Sequence, residues 1–248
     1  MAWGPLSGSS SQVIVSAEST PESIIASQAY AHWLFDDPNY LWQNTAKTTA
    51  VTADDDPVQV VSDRIGSNDL VAPSEGTRFA FKTTELNGHN VCRADGTDDY
   101  MVSGAFAFSG QPYYLLAIYK FNTLGLNDIL FDGLGSGYDT AISIHTDGVQ
   151  YYAGAGPLYS GSQDWDLAPH AGQWYLNGAG SSMEIDGVTV TGDAGTLASS
   201  TGLRLASRYD GGQDADIDYL EVMLLPSTIS TDDLSTVFAY LREKAGTD

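Results

Sequence analysis

The alternation of apolar and polar positions along the chain predicts a protein built from short β-strands. A nine-residue run, Tyr113–Phe121, is apolar on both faces except at Lys120, which is typical of a central strand covered on both sides. Asp-Gly pairs at 147–148 and 186–187 separate shorter β-favouring runs and predict two hairpins. The pattern therefore predicts an all-β protein with an antiparallel meander.

One amphipathic helix is predicted at the C-terminal end, over residues 230–245. Ser230 is a suitable N-cap, and from Leu234 onward apolar residues recur at i, i+3, i+4 and i+7 as far as Leu241. Gly246 can adopt the left-handed conformation that ends a helix. We expect one face of this helix to pack on the β-structure.

The N-terminal segment differs from the rest of the chain in composition. Residues 1–19 are rich in Ser, Gly and Ala and have no apolar period, whereas Thr20 and Pro21 favour a short helix over residues 20–26. We predict an extended arm with a short helix at 1–28, followed by one sandwich domain at 29–248.

Three stretches resemble the LamG-type branch of the concanavalin A-like jelly rolls. They are VCRADGTDDYMV at 91–102, LWQNTAKTTAVTADDDPV at 41–58, and the pair LRLAS at 203–207 and IDYLEVMLL at 217–225. The chain departs from the family pattern at Asp55, where a glycine is usual. The resemblance implies a two-sheet antiparallel jelly-roll sandwich of the kind found in phage and bacterial surface proteins.

The charge balance is strongly acidic. Asp and Glu number 32 against 10 Lys and Arg, which gives a formal net charge of −22. Such a surface repels phosphate backbones, so we expect no nucleic-acid partner. Two explanations stay open: an ordinary acidic protein, or adaptation to high salt, where screening over about 3 Å at 1 M relieves the self-repulsion. No run of 18 apolar residues occurs, so we expect no membrane insertion.

The resemblance suggests calcium as a cofactor, because many members of the family bind it at the rim of the sandwich. Asp214, Asp216 and Asp218 alternate, which in a strand would place three carboxylates on one face. An exposed acidic loop without a cation is the alternative. Cys92 is the single cysteine, and we expect it to be a buried thiol.

Carbohydrate binding needs an aromatic platform beside polar groups. Two loops offer that combination: one carries Tyr159, Trp165 and Asp166, and the other carries Tyr209 and Asp210. The alternative is that these aromatic side chains close the ends of the sandwich.

Signs of catalysis are weak. Sandwich hydrolases of the laminarinase kind carry Glu-x-Asp-x-x-Glu on one strand, and the nearest match, beginning Glu184-Ile185-Asp186, lacks the last acid. The four histidines form no zinc-binding pair and are expected to be structural. We therefore predict that the chain is not an enzyme and has no catalytic residues.

These observations favour a non-catalytic virion structural protein of a tailed virus, either a capsid decoration or a tail-associated subunit. Its arm would dock on other virion proteins, and its sandwich would stabilise the particle or attach to host-surface glycans. We expect the subunits to form a homo-oligomer. We also expect the protein to be made in the host cytoplasm, because the N-terminus has no secretory signal. The alternatives are a carbohydrate-binding module of a cell-surface protein and a glycoside hydrolase.

Overall fold

Two antiparallel sheets of nine strands each pack face to face in the computed structural model, which describes residues 1, 19–106, 110–135, 140–161, 164–197 and 202–247. The predicted two-sheet antiparallel sandwich is confirmed. The large side chains enclosed between the sheets include Trp33, Trp174, Tyr119, Tyr219 and Phe131, all of them fully buried.

The first sheet has the order β16-β15-β14-β9-β18-β7-β6-β3, and β1 also pairs with β18. Its strands are β1 (Ala31–Leu34), β3 (Pro57–Val58), β6 (Phe79–Leu86), β7 (His89–Asp95), β9 (Tyr113–Phe121), β14 (His170–Leu176), β15 (Ser181–Ile185), β16 (Val188–Gly192) and β18 (Asp216–Pro226).

The second sheet has the order β13-β12-β11-β10-β17-β8-β5-β4-β2. Its strands are β2 (Leu41–Trp42), β4 (Val60–Val61), β5 (Leu70–Val71), β8 (Met101–Val102), β10 (Ile129–Gly133), β11 (Ala141–His145), β12 (Gly148–Tyr152), β13 (Leu158–Tyr159) and β17 (Leu203–Leu205). Short 3₁₀ turns at Pro38–Tyr40, Glu75–Thr77 and Gly178–Gly180 connect some of these elements.

Strand β9 shows why its sequence is apolar on both faces. Leu115 and Ala117 point into the core between the sheets, whereas Leu116 and Ile118 belong to a second apolar cluster on the outer side of the first sheet. The strand lies between β14 and β18, so both faces and both edges are covered. The predicted central strand is therefore confirmed.

The second apolar cluster is completed by two helices, α1 (Pro21–Gln28) and α2 (Thr231–Ala245). The Ser230 hydroxyl accepts from the Asp233 amide at the start of α2, and Gly246 ends it with φ of +80°. Both ends match the prediction. Neither helix is long and apolar enough to cross a membrane in the described part of the chain.

Helix α1 runs two residues further than predicted and packs against the sandwich. Thr20 caps it, Ile24 and Ile25 are buried, and Gln28 donates to Asp233 of α2 at 2.9 Å. Residues 2–18 lie outside the described residues, so an extended arm there, and the domain boundary at 28 and 29, stay predictions.

The hairpin between β11 and β12 forms as predicted, but its turn lies one residue earlier. His145 pairs with Gly148, so Thr146 and Asp147 make the loop and Gly148 opens β12. Gly148 has φ of +101°, and an added Cβ would lie 2.0 Å from the carbonyl oxygen of Gly161. The glycine is thus required by a close approach of the chain as well as by the hairpin.

Candidate functional site

The outer face of the second sheet is polar and aromatic at the end of the sheet formed by β11, β12 and β13. Ile142 and Ile144 of β11 point into the core, and the residues between and beside them point outward. A groove of about 310 Å³ lies on this outer face. We call it the second-sheet groove; its lining includes Asn127, Ile129, Ser143, Gln150, Tyr152 and Gln213.

A line of hydrogen bonds crosses three strands beside the groove. Ser143 pairs with Gln150 in the sheet, and Gln150 pairs with Tyr159. The Ser143 hydroxyl donates to Gln150 Oε1 at 3.2 Å, and Gln150 Nε2 donates to the Tyr159 hydroxyl at 3.4 Å. These contacts fix the amide of Gln150 in one orientation, so its polar atoms form a preorganised surface.

Tyr159 is the predicted sugar-binding residue that the structure places beside the groove. It ends β13 half-buried, and its ring centroid lies 5.1 Å from that of His145. Its hydroxyl accepts from Gln150, so the hydroxyl proton is available to a ligand.

Trp165 and Asp166 take part in other contacts. Trp165 is half-buried and packs against the core between the sheets, as expected for a side chain that closes the end of a sandwich. Asp166 Oδ1 lies 3.1 Å from Nε2 of His170. Neither residue lines the second-sheet groove.

The loop that carries Tyr209 and Asp210 approaches the groove from its other side. Arg208 donates to Asp210 at 2.6 Å and to the groove residue Gln213 at 3.5 Å. The Tyr209 amide donates to Asp132 of β10 at 3.0 Å. The structure thus brings Tyr159 and the Tyr209 loop to the same sheet, whereas Asp166 of the first predicted loop contacts His170 of the first sheet.

Arg204 extends this polar surface on β17. Its guanidinium lies 3.6 Å from the ring centroid of Tyr100 and donates to the Tyr209 carbonyl at 3.3 Å. Burial lowers the pKa of Arg204, and its Nε has no hydrogen-bond partner among the residues described. The cation–π contact and the hydrogen bond hold the Tyr209 loop in place.

The three residues predicted to bind calcium do not share one environment. Asp218 is fully buried and receives two bonds from Arg93, at 2.6 and 2.8 Å, and one from Asn122 at 3.0 Å. Asp216 pairs with Asp95 between β18 and β7. A cation bound by all three residues would have to displace the guanidinium, and a calcium site there stays a prediction.

An acidic turn lies beside Asp216. Gly96 comes so close that an added Cβ would lie 2.9 Å from the Asp216 amide nitrogen. Carboxylates of Asp95, Asp98 and Asp99 all lie within 4.8 Å of one another. Burial and the neighbouring charge of Asp95 raise the pKa of Asp99 to about 7. The like charges at this end of the sandwich are therefore partly relieved by protonation.

One further carboxyl lies next to the groove in sequence. Asp128 is between the lining residues Asn127 and Ile129, and it accepts a bond from the Gly125 amide at 2.8 Å. Burial raises the pKa of Asp128, and the charges of Asp214 and Asp216 act in the same direction. A raised pKa favours the protonated form of a carboxyl group, and that is the form that can donate a proton to a leaving group.

Sequence reasoning missed the amide residues of the groove, Asn127, Gln150 and Gln213. The polar positions of β11 and β12 give a usable signal, because Ser143 and Gln150 alternate with core residues. Asn127 and Gln213 lie in loops, at φ of +69° and +57°. No periodic pattern marks them.

No model of a known protein family matches the chain, and no curated protein matches it. Solved structures do match. Trypanosoma rangeli sialidase in complex with the inhibitor DANA matches with a TM-score of 0.57 and 13% identity, over 84% of this chain and 32% of that chain. The same sialidase in complex with 2,3-difluorosialic acid gives 0.58 and 15%, over 88% of this chain and 33% of that chain.

A GH54 α-L-arabinofuranosidase soaked with a cyclic sulfate inhibitor matches with a TM-score of 0.63 and 11% identity, over 92% of this chain and 65% of that chain. This chain therefore spans about a third of the sialidase and slightly less than two thirds of the arabinofuranosidase. At these identities the likeness shows the β-sandwich fold. The finer assignment to the LamG type stays a prediction.

The prediction that the chain is not an enzyme is contradicted by these comparisons, because both kinds of neighbouring protein are glycosidases. That prediction rested on an incomplete Glu-x-Asp-x-x-Glu strand at Glu184, and the absence of one motif excludes only one arrangement of carboxylates. In this chain Asp186 of that motif contacts His170 at 2.6 Å. The comparisons thus establish a sandwich fold that this chain shares with enzymes acting on sugars.

Proposed function

We propose that this chain binds a neutral glycan in the second-sheet groove. The observation that carries the proposal is the line of hydrogen bonds from Ser143 through Gln150 to Tyr159 along the groove. A sugar ring has a hydroxyl edge and an apolar face. Oriented amides and hydroxyls satisfy the edge, and aromatic rings such as Tyr152 pack against the face.

The volume of the groove limits the ligand. At about 310 Å³ it is at the lower end of the range of ligand pockets, about 300 to 1,000 Å³. Such a groove fits one sugar unit of a longer chain. It lies on the face of the sandwich opposite the two helices, which pack on the first sheet.

The charge of the protein favours a neutral ligand over an anionic one. The lining residues Asn127, Ser143, Gln150 and Gln213 carry no charge, and the chain as a whole has a net charge of −22. An anionic sugar would be repelled by the protein, and none of the lining residues that the structure describes is a cation that could compensate. The glycosidase neighbours support a sugar ligand in general terms.

A glycan array tests the proposal. We expect neutral glycans to bind and sialylated or sulfated ones to bind less. Gln150→Ala should then weaken binding of the best array ligand by about tenfold, because one oriented amide is lost. Gln173→Ala is the matched control, since Gln173 is a half-buried glutamine on β14 of the first sheet. Equal affinity of the two variants would contradict the proposal.

Glycan cleavage is a second candidate function, favoured by Asp128. Its raised pKa and its position beside two groove residues suit a general acid, and Asp214 is near enough to influence its pKa. A reducing-sugar assay on the array ligand tests it. We expect product formation that Asp128→Asn abolishes, and equal rates for the two proteins would remove Asp128 from the mechanism.

A place in a virion stays a prediction from the sequence. The same holds for docking of residues 1–28 on other virion proteins, for homo-oligomer formation and for adaptation to high salt. Mass spectrometry of purified particles tests the first of these. Glycan binding in the groove does not depend on where the protein is displayed.

A further inference from the structure

A histidine lies between two carboxylates at the end of the first sheet. His170 begins β14, with Nδ1 2.6 Å from Asp186 Oδ2 and Nε2 3.1 Å from Asp166 Oδ1. Asp186 is held by the β15–β16 turn, and its Oδ1 accepts from the Ala171 amide at 2.8 Å. We call Asp164, Asp166, His170 and Asp186 the His170 cluster.

Asp164 of the cluster is buried, and one of its carboxylate oxygens is unsatisfied among the described residues. Asp164 is only 4% exposed, yet its Oδ2 has no hydrogen-bond partner within the described ranges. Ligand atoms of Asp164, His170 and Asp186 all lie within 4.8 Å of one another. A buried carboxylate oxygen without a donor is costly unless a cation or another donor satisfies it.

A second buried atom near the cluster also lacks a partner. The Tyr119 ring centroid lies 5.6 Å from that of His170, and no described residue forms a hydrogen bond with the Tyr119 hydroxyl. Asp164 Oδ2 in the cluster and the Tyr119 hydroxyl beside it are therefore both buried without a described partner, which a closed ion-pair network would not leave.

We propose that the His170 cluster binds a divalent transition-metal ion, such as Zn²⁺ or Mn²⁺, through Asp164, His170 and Asp186, with Asp166 holding the other ring nitrogen of His170 in place. One imidazole with carboxylates is a donor set for these ions, whereas calcium takes oxygen ligands alone. Ligand atoms at tetrahedral zinc would be about 3.4 Å apart, and the three ligand atoms here lie within 4.8 Å of one another, so binding would draw them together.

The cluster is open to solvent on one side, so an ion can enter. The side chains of Asp166 and Asp186 are 46% and 23% exposed, whereas those of His170 and Asp164 are buried. A bound ion would join the segment that follows β13 to the β15–β16 hairpin. It would thereby link the edge strand that carries Tyr159 to the first sheet, at a site separate from the groove.

Isothermal titration of chelator-treated protein with ZnCl₂ and MnCl₂ tests the proposal. We expect one ion per chain, with a rise in melting temperature on binding. Asp164→Asn should weaken binding at least about tenfold. This variant keeps the shape of the side chain and breaks no hydrogen bond to Oδ2, so it should fold.

Asp147→Asn is the matched control, because Asp147 also lies near a histidine, His145, at 3.6 Å, but is 69% exposed. It should bind the ion as the unaltered protein does. Absence of binding to the unaltered protein would overturn the proposal. So would equal affinity of Asp164→Asn and the unaltered protein, or a response to CaCl₂ as strong as the response to ZnCl₂.

Discussion

Gln150 of β12 donates a hydrogen bond to the hydroxyl of Tyr159 on β13, directly across the sheet, at 3.4 Å. The contact orients a polar amide and a phenol that are nine residues apart in sequence. It gives the second-sheet groove a defined polar wall.

Removal of the Tyr159 hydroxyl tests whether this polar wall of the groove binds the sugar. Tyr159→Phe should weaken glycan binding by about tenfold, because the phenol proton that a sugar oxygen would accept is lost. The melting temperature should change little, since the side chain is half-buried and the ring remains. Titration calorimetry with the best array ligand measures the effect. Unchanged affinity would place the sugar elsewhere.

Trp165 should behave in the opposite way. It packs against the core between the sheets, so Trp165→Ala should lower the free energy of unfolding by about 2 kcal/mol. Glycan affinity of the folded protein should stay the same. Denaturant unfolding and calorimetry separate the two effects. A large loss of affinity with unchanged stability would show that the indole is a sugar platform after all.

Asp99 should make stability depend on pH. Burial and the charge of Asp95 raise its pKa to about 7 in the folded protein, against an ordinary value of 3.8. A raised carboxyl pKa stabilises the fold while the group is protonated, and this contribution is lost as the pH rises from 3.8 through about 7.

The neutral variant Asp99→Asn should therefore melt about 2–4 °C above the unaltered protein at pH 8 and close to it at pH 4. Asp147→Asn removes an exposed charge from the β11–β12 hairpin and serves as the control. A melting difference for Asp99→Asn that does not vary with pH would contradict the shifted pKa.

Asp218 should act as the partner of a guanidinium. Asp218→Asn should lower the free energy of unfolding by about 2 kcal/mol, because Arg93 loses a buried counter-charge. We expect added calcium to give the same melting response with and without the substitution. A calcium-induced rise in melting temperature that disappears in Asp218→Asn would restore Asp218 as a calcium ligand.

The sequence predicted well those elements whose pattern reports a local environment. β9 is apolar on both faces because the core covers one side and the helices cover the other. Helix α2 begins at the residue after Ser230 and ends before Gly246, since its capping residues are local in sequence.

Sites that depend on pairing between strands could not be predicted in the same way. A turn at Asp147-Gly148 would have placed Ser143 opposite Tyr152, whereas the actual turn places it opposite Gln150. The His170 cluster joins residues from three segments, and its histidine looked isolated along the chain. Such contacts appear only when the register of the sheets is known.

A crystal structure of the protein with the best neutral ligand of the glycan array tests the central claim most directly. We predict a sugar ring in the second-sheet groove, with hydroxyls bonded to Gln150 and Tyr159 and one face against Tyr152. A sugar bound at any other surface, with the groove empty, would contradict the account.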